Sequence, residues 1–197
     1  MAAIHRWPLY QMDVKNVFLN RDLQEEVYMQ PPPGYPHSGS QVCRLHRALY
    51  GLKQAPRAWF EKFSSVVAQQ GFTSSPHDTA LFFQRSSAGI TLILLYVDDM
   101  IITGDDSAGI RSLQDFLSQH FEMKDLGTLS YFLRLEVNSS SDGYYLSLDK
   151  YASDFLSKAG ITDNKTVFTP LEYNAKLTSL DGEPISNATH YHSWLVA

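Results

Sequence analysis

The stretch Ile90-Thr91-Leu92-Ile93-Leu94-Leu95-Tyr96-Val97-Asp98-Asp99-Met100-Ile101-Ile102-Thr103-Gly104 constrains this chain more than any other. Two aliphatic and β-branched runs, each too short for a helix and too apolar for solvent, flank one acidic pair. That pattern predicts a hairpin buried on both faces with carboxylates at its bend. Two adjacent acids on such a hairpin are costly, because like charges repel and burial removes their water. A turn that merely happens to read Asp-Asp needs polar padding to lift it off the sheet, and Tyr96-Val97 and Met100-Ile101-Ile102 supply none. The pair therefore asks for a compensating cation.

Hard oxygen ligands with no His or Cys close in sequence favour Mg²⁺ or Mn²⁺. A third carboxylate would allow two ions roughly 3.5–4 Å apart, the arrangement that clamps attacking and leaving oxygens in phosphoryl transfer. Asp13 is the candidate, at the end of the strand-like run Leu9-Tyr10-Gln11-Met12-Asp13-Val14. The predicted chemistry is two-metal nucleotidyl or phosphoryl transfer.

Composition narrows the class. A chain of 197 residues with 44% apolar and 13% aromatic side chains can bury one ordinary core, which excludes disorder as its main state. Its longest apolar run, Ile90 to Val97, is eight residues, where a membrane span needs roughly twenty. Residues 2–8 contain no apolar signal segment, and the one cysteine, Cys43, forbids an internal disulfide or a multi-cysteine zinc site. The expectation is an intracellular, reduced, soluble protein with no membrane partner. A net charge of −5 argues against nucleic-acid binding. Between Cys43 and Lys62, however, Arg44, Arg47, Lys53, Arg57, Lys62 and His46 face one acid, Glu61. That stretch is either a basic contact surface or a solvated helix face.

The remaining pattern predicts a compact helical turn through Phe18 and Leu19, and a loop over the proline-rich 30–40. A helix from Pro56 carries Trp59, Phe63, Val66 and Val67 on one stripe and ends at Gly71. A strand is expected over Ala80–Gln84. A second helix follows, with Ile110, Leu113, Leu117 and Phe121 on its stripe. Leu129–Val137 reads as a strand with Gly143–Ser147 as its partner, and a third helix carries Ala152, Phe155, Leu156 and Ala159. Beyond Pro170 the pattern fades, and Tyr191 to Ala197 look like the opening of a helix. Together these elements predict an α+β domain, an antiparallel sheet backed by helices.

Four ordered segments resemble the reverse transcriptase of copia-type LTR retrotransposons. They are Gln11-Met12-Asp13-Val14-Lys15-Asn16-Val17-Phe18-Leu19-Asn20, Ala48-Leu49-Tyr50-Gly51-Leu52-Lys53-Gln54-Ala55-Pro56-Arg57-Ala58-Trp59, Leu95-Tyr96-Val97-Asp98-Asp99, and Phe121-Glu122-Met123-Lys124-Asp125-Leu126-Gly127 with Tyr131-Phe132-Leu133. The resemblance runs from about Gln11 to Tyr191. It implies a polymerase palm over residues 1–170, with incomplete fingers and no RNase H part, and a truncated connecting tail over 171–197. It implies RNA-directed DNA polymerisation with two Mg²⁺ or Mn²⁺ ions, an RNA template, a DNA primer and deoxynucleoside triphosphates, inside a cytoplasmic retrotransposon particle.

Residue by residue, the resemblance makes Asp13, Asp98 and Asp99 the catalytic and metal-holding carboxylates, with Val14 contributing through its backbone. Phe18 matches the aromatic under the incoming sugar that disfavours a 2′ hydroxyl; as a bland alternative it is a core residue of its short helix. Gln54 matches a glutamine that touches the nucleotide, with Lys53 and Arg57 beside template or phosphates. Tyr131 to Glu136, with Phe132, Leu133 and Arg134, matches the hairpin that grips the primer terminus.

This chain also departs from the family. Val17 stands where a small residue is usual, Arg21 replaces a glycine, and Arg134 replaces the glycine of the Phe-Leu-Gly stretch. If that glycine has φ > 0, arginine strains the hairpin by roughly 1 kcal/mol or more. The expected object is thus a fragment of a longer polypeptide, with a non-catalytic remnant of weak nucleic-acid affinity as the alternative. A Mg²⁺-dependent phosphohydrolase built on the same acids is a third reading, disfavoured because no nucleophile motif is present.

Overall fold

The computed structural model describes residues 2–20, 22–159 and 178. The expected connecting tail and the helix opening at Tyr191 lie outside the described residues. The chain divides into two compact units, one through Leu129 and one from Ser130.

The first unit begins with a one-turn helix, α1 (Ala2–His5), and strand β1 (Leu9–Val14), followed by a 3₁₀ turn at Val17–Asn20. Strands β2 (Asp22–Met29) and β3 (Cys43–Arg47) form a separate antiparallel ribbon. Then come α2 (Ala55–Gln69), β4 (Thr73–Ser74), β5 (Leu81–Arg85), β6 (Ile90–Tyr96), β7 (Asp99–Gly104), α3 (Ser107–His120) and β8 (Met123–Thr128). Six strands make one antiparallel sheet in the order β4-β5-β6-β7-β1-β8. The first strand in sequence is thus inserted between two late ones.

Packing follows from alternation and helical stripes. On the sheet, Met12, Val14, Phe82, Ile93, Leu95, Met100 and Ile102 point one way into the core. Trp59, Phe63, Val66 and Val67 of α2 and Ile110, Leu113 and Leu117 of α3 cover that face. Phe63 sits at the centre, edge-on to Phe82 and stacked on Phe121. Gly71 ends α2 with φ 83, as its position after the apolar stripe predicts. Asp106 caps α3, accepting the Gly109 N–H at 2.8 Å.

Three expectations need correction. The acidic hairpin is not buried on both faces: Thr91, Ile93 and Leu95 are buried, whereas Leu92, Leu94 and Ile101 are only half-buried. Both helices pack on one side, so the other side is an open groove of about 950 Å³, lined in part by Trp7, Leu9, Phe83, Leu92, Leu94 and Ile101. Leu129–Val137 is not one strand but β9 (Tyr131–Phe132) and β10 (Leu135–Ser140), separated by the turn Leu133-Arg134. Strand β8 and the β2–β3 ribbon were not foreseen, because five of six β8 residues are exposed and neither segment carries a β-branched run.

In the second unit β9, β10 and β11 (Gly143–Ser147) form a three-stranded meander, joined to α4 (Asp149–Ala159). Helix α4 buries no side chain completely. Among the described residues no helix is long and apolar enough to cross a membrane.

Candidate active site

Strand order brings the predicted acids together. Because β1 lies beside β7, Asp13 stands directly opposite Asp99, and its other neighbour across β8 is Lys124. Directly opposed residues share a face with Cβ atoms about 4.5–5.5 Å apart. Asp98 occupies the turn, and its carbonyl accepts the Val14 N–H at 2.9 Å. All three acids are half-buried. Burial first, then the charges of Asp98 and Asp99, push the Asp13 carboxyl above its ordinary range, against the opposing pull of Lys124 and Lys15.

Gln11 was quoted in the motif but given no role. Its amide Nε2 donates to Asp99 Oδ1 at 3.1 Å from a buried position. The signal was available: residues 11 and 13 of one strand share a face. In sequence Trp59 closes the second motif and falls on the apolar stripe of its helix. Its indole donates to the Val97 carbonyl at 2.7 Å, directly under the acidic turn. Val97 has φ 54, a left-handed conformation costing a β-branched residue about 1–2 kcal/mol.

The remaining candidates are distributed as follows. Val14 is buried, and its N–H donates to the Asp98 carbonyl. Phe18 lies in the 3₁₀ turn, half-buried and edge-on to Tyr50 at 4.8 Å. Val17 is fully buried in the core, so its extra methyls are absorbed there rather than at an open surface. Gln54 is the N-cap of α2 and makes no side-chain cap bond. It lies five residues from Trp59, or about 7.5 Å along the helix. Lys53 and Arg57 are exposed, and Arg57 pairs with Glu61 at 3.2 Å. Arg44 pairs with Glu26 at 3.3 Å, so the local positive stretch is partly neutralised by its neighbours.

Phe132, Leu133 and Arg134 belong to the second unit, with Leu133 at φ 50 and Arg134 at φ 70. The condition set for strain at Arg134 is therefore met. Its guanidinium lies 5.0 Å over the Tyr151 ring and donates to the Tyr151 hydroxyl at 3.2 Å.

The hard oxygens of Asp13, Asp98 and Asp99, crowded enough to raise one carboxyl's proton affinity, suit Mg²⁺ or Mn²⁺ in chemistry. Among the described residues, however, no three His, Cys, Asp or Glu side chains are gathered closely enough to cage an ion.

Comparison with known proteins agrees with the four motifs. Residues 1–173 match the family described as reverse transcriptase (RNA-dependent DNA polymerase). The Retrovirus-related Pol polyprotein from transposon RE2 of Arabidopsis thaliana is 39% identical over 193 residues, 97% of this chain and 13% of that protein. Its counterpart from transposon TNT 1-94 of Nicotiana tabacum is 40% identical over 183 residues, 90% of this chain and 14% of that protein. A transposon Ty5-1 protein of Saccharomyces cerevisiae is 32% identical over 185 residues, 92% of this chain and 60% of that protein. The chain thus spans about one-seventh of the two plant polyproteins. It belongs to the reverse transcriptase family, as the domain found in copia-type transposon Pol polyproteins.

Proposed function

We propose that this chain is the palm of an RNA-directed DNA polymerase that works by two-metal nucleotidyl transfer. The observation that carries the reading is the pairing of Asp13 with Asp99 across adjacent strands, with Asp98 in the turn beside them. Asp13 and Asp99, 86 positions apart, share one face only because β1 inserts between β7 and β8. Burial first, and then the charges of Asp98 and Asp99, raise the proton affinity of Asp13, and a divalent ion would offset both.

Two divalent ions, when bound, supply neutralisation of the developing phosphate charge. The chain's own residues do the rest. Asp98 faces the primer 3′ hydroxyl, whose proton passes to water as its oxygen attacks the α-phosphorus; a new P–O bond forms and the bond to pyrophosphate breaks. Asp13 and the Val14 carbonyl hold the triphosphate side. Gln11 fixes the rotamer of Asp99 through its amide. Phe18, buttressed by Tyr50, underlies the sugar, while Gln54, Lys53 and Arg57 at the start of α2 meet nucleotide and template. Phe132, Leu133 and Arg134 contact the primer end. The substrates are a deoxynucleoside triphosphate, a DNA primer and an RNA template.

The test is Mg²⁺- or Mn²⁺-dependent incorporation of a deoxynucleotide on an RNA template with a DNA primer. Extension that vanishes in Asp98→Asn and Asp99→Asn supports the reading, and extension retained in those variants defeats it. A salt-dependent gel shift without any extension by the unmutated chain would favour the non-catalytic remnant.

A further inference from the structure

The acidic turn is held from beneath by a buried side chain. Val97, the first central residue of the two-residue turn between β6 and β7, takes a left-handed φ of 54 that a β-branched residue avoids. Its carbonyl accepts the Trp59 indole N–H at 2.7 Å, and the next carbonyl, that of Asp98, accepts the Val14 N–H at 2.9 Å. The two peptide planes that bracket Asp98 are therefore each pinned by a different donor, one from a helix and one from the adjacent strand. Fixing both planes fixes the direction of the Cα–Cβ bond of Asp98.

Trp59 is itself closely packed. It is 3% exposed, meets Phe121 edge-on at 5.1 Å and lies tilted against Phe63 at 5.6 Å. Val97 above it is 45% exposed. A core position facing a half-exposed turn could be filled by Phe or Leu, with water serving the turn; an indole adds one directed donor. We propose that Trp59 is a positioning residue for Asp98, its indole hydrogen bond holding the strained Val97-Asp98 peptide so that the carboxylate is aimed before any ligand arrives. The proposal rests on the polymerase reading of the same site.

The test compares the unmutated chain with Trp59→Phe and with a chain carrying β-(3-benzothienyl)alanine at position 59, which keeps the bicycle and removes only the donor. Two readouts are taken. The first is single-nucleotide incorporation, where kcat is expected to fall at least tenfold while KM for the deoxynucleotide changes less than threefold. The second needs no turnover: Mn²⁺ affinity, followed by paramagnetic broadening of backbone amide signals around residues 97–100, is expected to weaken at least fivefold. Melting of the benzothienyl chain should stay within a few degrees of the unmutated protein. Unchanged kcat and unchanged Mn²⁺ affinity in that chain would overturn the proposal, whether or not Trp59→Phe folds. Asp98→Asn separates the two ideas. If it abolishes both signals while the benzothienyl chain keeps both, only the positioning role fails; if it keeps both, the polymerase reading fails.

Discussion

Two of the two-residue hairpin turns among the described residues fill left-handed positions with side chains where glycine would be at ease. At Val97-Asp98 only the first central residue has φ > 0, the sign pattern of a type II′ turn; at Leu133-Arg134 both do, as in type I′. The turns are held in opposite ways. The Val97-Asp98 turn is tied down by a buried indole and a neighbouring strand, whereas the exposed Arg134 is steadied by one half-buried ring, Tyr151. Strain enforced from a packed core keeps a functional geometry, while strain balanced at the surface is close to neutral. This contrast can be broken by experiment.

The largest effect is expected at the acids beside the first turn. Replacing Asp98 or Asp99 by Asn should lower incorporation at least about a hundredfold, the scale of losing one charge-stabilising group. Thermal stability should be unchanged or slightly higher, since a repulsive charge is removed. A steep fall in melting temperature instead would mean that the acids serve the fold, and the first turn would then be no different in kind from the second.

Next is the far end of the same hairpin. Gly104 has φ 148 and faces Thr91 across the ladder, and a Cβ built there would sit 2.0 Å from the Ile90 carbonyl oxygen. Gly104→Ala should cost about 3 kcal/mol or more, because backbone rather than a flexible side chain must give way. Chemical denaturation measures it, and a loss below about 1 kcal/mol would show that β6 and β7 can separate without disturbing the core.

How much of this was legible in sequence depends on what each residue advertises. The β6–β7 hairpin, α2 and α3 announced themselves through alternation and stripes, and the three acids through charge set in apolar runs. That Asp13 meets Asp99 was inferred from chemistry and resemblance, since no local pattern encodes a strand inserting between two later ones. The i, i+2 spacing of Gln11 and Asp13 on one strand hints at a shared face, but the partners of Gln11 and Trp59, a carboxylate and a carbonyl, are supplied only by the folded register. The exposed groove on the outer face was missed because an apolar strand reads alike whether one face or both are covered.

A pH series sets two carboxyls against each other. The folded value of Asp13 lies above its ordinary 3.8, chiefly through burial and then Asp98 and Asp99, so its contribution to stability is full below that value and is lost as pH rises through the folded one. Asp106 is lowered, first by the Gly109 N–H and then by the Ser86 hydroxyl, so its contribution is present above 3.8 and lost as pH falls through its folded value. In metal-free protein Asp13→Asn should therefore gain stability relative to the unmutated chain as pH rises from about 4 to about 7. Asp106→Asn should flatten the acid limb instead. Melting curves across that range decide it, and identical pH profiles for all three proteins would remove the electrostatic account of the site.

The smallest effect belongs to the second turn. Arg134→Gly removes left-handed strain worth about 1–2 kcal/mol. It also frees the unfolded chain, which costs about 0.5–1 kcal/mol, and deletes a cation–π contact worth about 0.5–1 kcal/mol at an exposed site. These nearly cancel, so the melting temperature should move by no more than about 2 °C. Arg134→Ala keeps the strain and loses the contact, and should destabilise by about 1 kcal/mol or less. A double-mutant cycle with Tyr151→Ala then isolates the stacking, with a coupling of about 0.5–1 kcal/mol expected. Should Arg134→Gly instead stabilise by about 2 kcal/mol, the ring compensates nothing, and the second turn carries its strain unopposed.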